Sequence, residues 1–125
     1  MKESVLSEKS LDFAGRILIL AKRLRKEGEF IVSNQVGRSG TSVGANIREA
    51  QFASSRADFI AKMYVALKEA NETDYWLELL RRTNEITDAE FDSLTAECTS
   101  IRAMLIASIK TAKDRDDSDK KDSYI

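Results

Sequence analysis

Gly40-Thr41-Ser42-Val43-Gly44 has the spacing G-x-S-x-G, in which a serine held on a sharp turn serves as the nucleophile of a hydrolase. That chemistry needs a strand ahead of the serine and a histidine to take its proton. The chain contains no histidine, and no strand pattern precedes residue 40. Ser42 is therefore not the nucleophile of such a triad. Gly37 to Gly44 also approaches a phosphate-binding loop. Ala45 and Asn46, however, stand where a lysine and a serine or threonine should follow the last glycine. Both patterns lack their chemical partner.

The same absences narrow the function classes. Without histidine the chain lacks the commonest general base, proton shuttle and metal ligand. Its one cysteine, Cys98, excludes an internal disulfide and a cysteine-cluster zinc site. Cys98 lies on an apolar helical row, which predicts a buried thiol without redox or nucleophilic duty. No constellation of acid, base and nucleophile is available. The expectation is a protein that is not an enzyme, with no catalytic residue, no metal, no cofactor and no small-molecule substrate.

Helical spacing makes better sense of the glycine-rich stretch. Val32, Val36, Ser39, Val43, Ile47 and Ala50 fall on one face at steps of three and four, apolar and small enough for a core. Gln35, Arg38, Ser42, Asn46 and Glu49 form a polar row at the same spacing. Ser33, Gly37, Gly40 and Gly44 form a third row, small enough to let another backbone come close. A glycine inside a helix costs about 0.5–1 kcal/mol relative to alanine, so these three call for a compensating contact. The polar row has two readings. Arg38 and Asn46 could bond across to Glu69, Glu72 or Asp74 and fix register, or the row could line a binding surface. The first reading predicts that Arg38→Ala lowers the melting temperature markedly.

This helix, about 31–53, needs partners. Residues 7–27 read as a long amphipathic helix with one apolar row of Leu6, Phe13, Ile17, Leu20 and Leu24. A second row, Leu11, Ala14, Leu18 and Ala21, widens that face. Gly28 supplies a stop. Ser55 and Asp58 form a capping box for a third helix ending near Asn84, with a core row of Ile60, Met63, Leu67, Ala70, Asp74 and Leu77 and with Trp76 and Leu80 alongside it. Thr87 and Glu90 open a fourth, with the heptad Phe91, Leu94, Cys98, Ile101, Leu105, Ser108 and Ala112. The chain has no proline to break any of them. Long helices joined by short connections must run antiparallel, which predicts an all-α, up-down-up-down four-helix bundle over residues 1–113. Residues 114–125, with the run DRDDSDKKDS, read as a charged, mobile tail.

The formal net charge is -1, but residues 1–56 hold ten Lys/Arg against six Asp/Glu, while residues 57–110 hold six against ten. The two halves could pair with one another, or the basic half could face a polyanion. Lys22, Arg23, Arg25 and Lys26 crowd the end of the first helix, where cations also complement the helix dipole. No apolar run approaches the ~20 residues of a membrane span, and MKESVLSEKS lacks the pattern of a signal peptide. A cytoplasmic protein without a membrane partner is expected.

The pattern Gln35-x-x-Arg38-Ser39-x-x-Ser42-Val43-x-x-Asn46-Ile47-x-Glu49 resembles the second-helix signature of a bacterial four-helix-bundle family often encoded within intervening sequences of 23S ribosomal RNA genes. The resemblance continues through Asp58-Phe59-Ile60, residues 66–73, Tyr75-Trp76-Leu77, Phe91, Leu94 and Met104-Leu105, covering about residues 9–112. Arg48 and Ala50 depart from it, since the family usually has a small residue at the first position and glycine at the second. The resemblance implies a homo-oligomer, a pentameric ring in known examples. It also implies kinship with the accessory proteins of diversity-generating retroelements, which bind nucleic acid and a reverse transcriptase through basic surfaces. It carries over no catalytic residue. The leading expectation is an oligomeric interaction or adaptor module. The alternative is an RNA- or DNA-binding protein, with Lys22, Arg23, Arg25, Lys26 and Arg48 as candidate nucleic-acid contacts.

Overall fold

The computed structural model describes the backbone of residues 2–122 and the side chains of residues 5–115. Among the described residues there are four helices and no strand: α1 (Lys2–Lys26), α2 (Ile31–Gln51), α3 (Arg56–Arg82) and α4 (Asp88–Asp122). Cross-helix bonds fix the directions. Arg38 on α2 meets Glu69 and Glu72 on α3, and Ser39 meets Thr73. Arg16 and Arg23 on α1 meet Glu97 and Glu90 on α4, so higher numbers on one helix face lower numbers on the other. Each helix runs antiparallel to its neighbours. Contacts link α1 to α2, α2 to α3, α3 to α4 and α4 back to α1, the last being the sparsest seam; among the described residues no Cα atoms come within 8 Å across the diagonals.

Two hairpin connections use the same device. Leu24 accepts from the Glu29 N–H at 2.9 Å around Gly28, whose φ is +93°. Leu80 accepts from the Glu85 N–H at 2.9 Å around Asn84, at φ +61°. Both are the left-handed terminus that glycine and asparagine tolerate best. The third connection ends on Ser55, whose hydroxyl accepts from the Asp58 N–H at 3.0 Å and caps α3.

The core is formed by Phe13, Ile17, Leu20 and Leu24 on α1; Val36, Val43 and Ile47 on α2; Met63, Leu77 and Leu80 on α3; and Leu94, Ile101 and Leu105 on α4. Three expected rows shift. On α1, Ala21 is buried, but Leu11 and Leu18 are 53% and 46% exposed, so the second row is not core. On α3, Ala66, Thr73 and Leu80 replace Ile60, Leu67 and Asp74, which sit half-buried on the edge. Thr73 can be buried because its hydroxyl donates to the Glu69 carbonyl at 2.8 Å and approaches the Ser39 hydroxyl at 2.9 Å. Asp74 stays at the edge because Arg102 of α4 holds it there in an ion pair. On α4, Ile109 is buried where Ser108 was expected.

The glycine row lies against α1. A Cβ at Gly40 would stand 2.6 Å from Ile17 Cγ2, and one at Gly44 would be 3.2 Å from Ser10 Oγ. Gly37 faces the Ala21 Cβ at 3.4 Å, and Ser33 donates to the Ala21 carbonyl at 2.7 Å. Close backbone approach of α1 is thus the compensating contact. The backbone of α4 remains helical to Asp122, beyond the expected end near Lys113. The charged run there contains neither proline nor glycine. The expectation of a mobile tail falls mostly on side chains and terminal positions outside the described residues.

Candidate functional site

The polar row of α2 divides into one residue that crosses to α3 and four that do not. Arg38 donates to Glu69 at 3.0 Å and to Glu72, while Trp76 Nε1 donates to the same Glu72 oxygen at 3.1 Å. The bond from Trp76 holds the Glu72 carboxyl below its ordinary value; burial opposes this, and the bond and charge of Arg38 add to the lowering. Desolvation pulls the Arg38 guanidinium down, but its bonds to Glu72 and Glu69 outweigh this and raise it. Ser42 donates to the Arg38 carbonyl at 2.7 Å, and Asn46 to the Ser42 carbonyl at 2.8 Å, so both bonds stay on their own helix. Gln35 and Glu49 are exposed. The Arg38 side chain is 48% exposed, which limits what its ion pairs contribute. The marked loss expected for Arg38→Ala is corrected to a modest one.

The candidate nucleic-acid contacts are not brought into one patch. Arg23 is committed to Glu90 through bonds of 2.8 and 2.7 Å, and these raise its pKa. Arg25 donates to Asn34 at 2.9 Å and lies 5.4 Å from the Phe30 ring centroid. Lys22 and Lys26 are exposed at the same end. Arg48 is also exposed, but 14 residues beyond Asn34 on α2, about 21 Å away at the helical rise. Part of the charge asymmetry of the halves is spent inside the molecule. Arg16, Arg23 and Arg38 of the first half pair with Glu97, Glu90, Glu69 and Glu72 of the second.

Cys98 is fully buried, its thiol 3.4 Å from the Ala70 carbonyl, and burial pushes its pKa up to about 12. It is a neutral thiol with no nucleophilic character at ordinary pH. Among the described residues no group of histidine, cysteine or carboxylate side chains could hold a metal ion. No helix among them is long and apolar enough to cross a membrane.

What the sequence reading missed is the amount of apolar surface facing outward. Besides Leu11 and Leu18, Ile19 is 70% exposed, Ile31 76% and Phe52 82%. Tyr64, Tyr75 and Ile106 are exposed on the other two helices. A groove between α3 and α4 has Tyr64, Leu67, Ile106 and Ile109 as its walls and Lys110, Lys113 and Asp114 at its rim. A second, more polar hollow lies by the α3–α4 loop, between Arg23, Glu27, Glu85 and Glu90. One signal of the first surface was in the sequence, because Gly15 interrupts α1 among these apolar positions.

A family model described as 23S rRNA-intervening sequence protein matches residues 2–107. The chain belongs to this family. Among solved structures it is similar to a protein with unknown function from the S23 ribosomal protein family of Bacteroides thetaiotaomicron VPI-5482. The two share 56% identity and superpose with a TM-score of 0.86 over 88% of this chain and 99% of the other. No curated protein matches. Neither the family nor the solved relative is described as an enzyme. Family and fold therefore agree with the signature in α2, in which Arg38 bonds to α3 and the glycine row lies against α1.

Proposed function

We propose that this chain is a non-catalytic interaction module that assembles with copies of itself and acts through protein contacts. The observation that carries the reading is the outward apolar surface. Leu11, Leu18 and Ile19 on α1, and Tyr64 and Ile106 on the opposite hairpin, face solvent although the core is complete without them. Exposed apolar groups clustered in this way mark contact sites in soluble proteins. Light scattering at micromolar concentration tests it. The expected mass is a multiple of the 14.0 kDa chain, and five chains would match the ring that the resemblance implies. A monomer overturns the reading.

Nucleic-acid binding is the second reading, favoured by the exposed Lys22, Lys26 and Arg48, which make no ion pair among the described residues, and by the family's description. Assembly would repeat these cations around the particle. A gel shift with RNA whose affinity falls steeply with salt supports it, since phosphate neutralisation releases counterions. No shift even at low salt removes it.

A further inference from the structure

Three of the helical glycines have a visible reason, because Gly37, Gly40 and Gly44 each face atoms of α1. Gly15 has none. Nothing lies within 4 Å of where its Cβ would stand, and it is exposed in mid-helix. Within this chain alanine would serve better there. On a helix surface, the neighbours of position 15 are those three and four residues away. Those residues are Leu11, Asp12, Leu18 and Ile19, all exposed, with Glu8 one turn beyond Asp12 and Lys22 one turn beyond Leu18. Among the described residues Glu8 and Asp12 make no ion pair, so Gly15 sits at the centre of an apolar saddle bordered by two exposed carboxylates.

The groove between α3 and α4 has the opposite character. Its walls are Tyr64, Leu67, Ile106 and Ile109, and its rim carries Lys110 and Lys113 against the single acid Asp114. Lys113 donates to the Tyr64 hydroxyl at 2.6 Å and lies 4.8 Å from that ring's centroid, while Lys110 is exposed and makes no ion pair among the described residues. We propose that the Gly15 saddle of one copy docks into the α3–α4 groove of a second copy, with Glu8 and Asp12 meeting Lys110 and Lys113. The glycine allows close approach, the leucines and Ile19 fill the groove, and the charges set orientation. Because the two surfaces differ, the contact is heterologous and repeats from copy to copy, closing as a ring or extending as a filament. The assignment rests on the self-assembly proposed above and names its interface.

Light scattering over a concentration series tests it with the full chain, helicity being checked by circular dichroism. Glu8→Lys/Asp12→Lys and Lys110→Glu/Lys113→Glu should each move the assembly midpoint at least about tenfold higher in concentration. Gly15→Gln should do the same while the monomer stays folded. Mixing the two charge-reversed proteins should restore assembly at wild-type concentrations, because a contact between unlike variants is complementary in charge where a contact between like variants is not; a misfolded variant could not be rescued this way. If wild-type chain assembles but the variants assemble equally well, the interface assignment is overturned and self-assembly stands. A monomeric wild type overturns both.

Discussion

At the scale of single residues, chemistry gives way to packing. Ser42 has the sequence setting of a nucleophile, yet its hydroxyl donates to the Arg38 carbonyl one turn back, as serines in mid-helix commonly do. Cys98 is likewise occupied by burial. The two glycines at 15 and 40 separate what a glycine is for. Gly40→Ala would press a methyl group onto Ile17 and should destabilise the fold by about 1–3 kcal/mol. Gly15→Ala meets nothing in its own chain and should stabilise the isolated fold by about 0.5–1 kcal/mol. Urea denaturation at concentrations below the assembly midpoint measures both, and equal signs would contradict the packing described here.

At the scale of the helices, the sequence was legible wherever a local rule decides. Gly28, Ser55 and Asn84 marked their termini because capping depends on the residue at the end and the backbone beside it. The core face of α2 was legible because its polar and small positions leave only one apolar row. The faces of α1 and α3 were harder. Each carries two adjacent apolar rows, and periodicity cannot tell which one meets the bundle; that depends on the neighbour's register. Thr73 and Asp74 show the difficulty, since a threonine is buried on the strength of Ser39, thirty-four positions away, and an aspartate is kept at the edge by Arg102. The long-range partners of Arg16 and Arg23 were hidden for the same reason. The sequence offered the polar row of α2 and the basic residues at the end of α1 as candidate sites, and the outward apolar surface was not legible in it because exposure depends on which row the neighbouring helices cover. Arg38→Ala should lower stability by about 0.2–1 kcal/mol, as a half-exposed ion-pair network does. Glu72 has a lowered pKa in the folded chain, so its contribution is present above its ordinary value of 4.5 and fades as pH falls through the folded value. Thermal melts should therefore show the Arg38→Ala difference at pH 7 and its disappearance in acid.

At the scale of the whole molecule, pairing between the halves takes up Arg16, Arg23 and Arg38, and the exposed cations Lys22, Lys26 and Arg48 are divided between opposite ends of the bundle. The basic surface that polyanion binding requires must then come from repetition of the chain or not at all. Assembly is in this sense the prior question, and solution mass comes before any binding assay.

The ring of neighbour contacts, with its sparse closure between α1 and α4, has a temporal consequence as well. Three of the four seams join helices that are consecutive along the chain, so most of the fold forms without waiting for distant segments to meet. Chains dominated by such local contacts fold in microseconds to milliseconds. The seam fastened by Arg16–Glu97 and Arg23–Glu90 joins sequence-distant segments and should close last. Removing Glu97 should accordingly speed unfolding and leave the refolding rate nearly unchanged in stopped-flow traces. Slowed refolding in that variant would place the first and last helices in the nucleus instead.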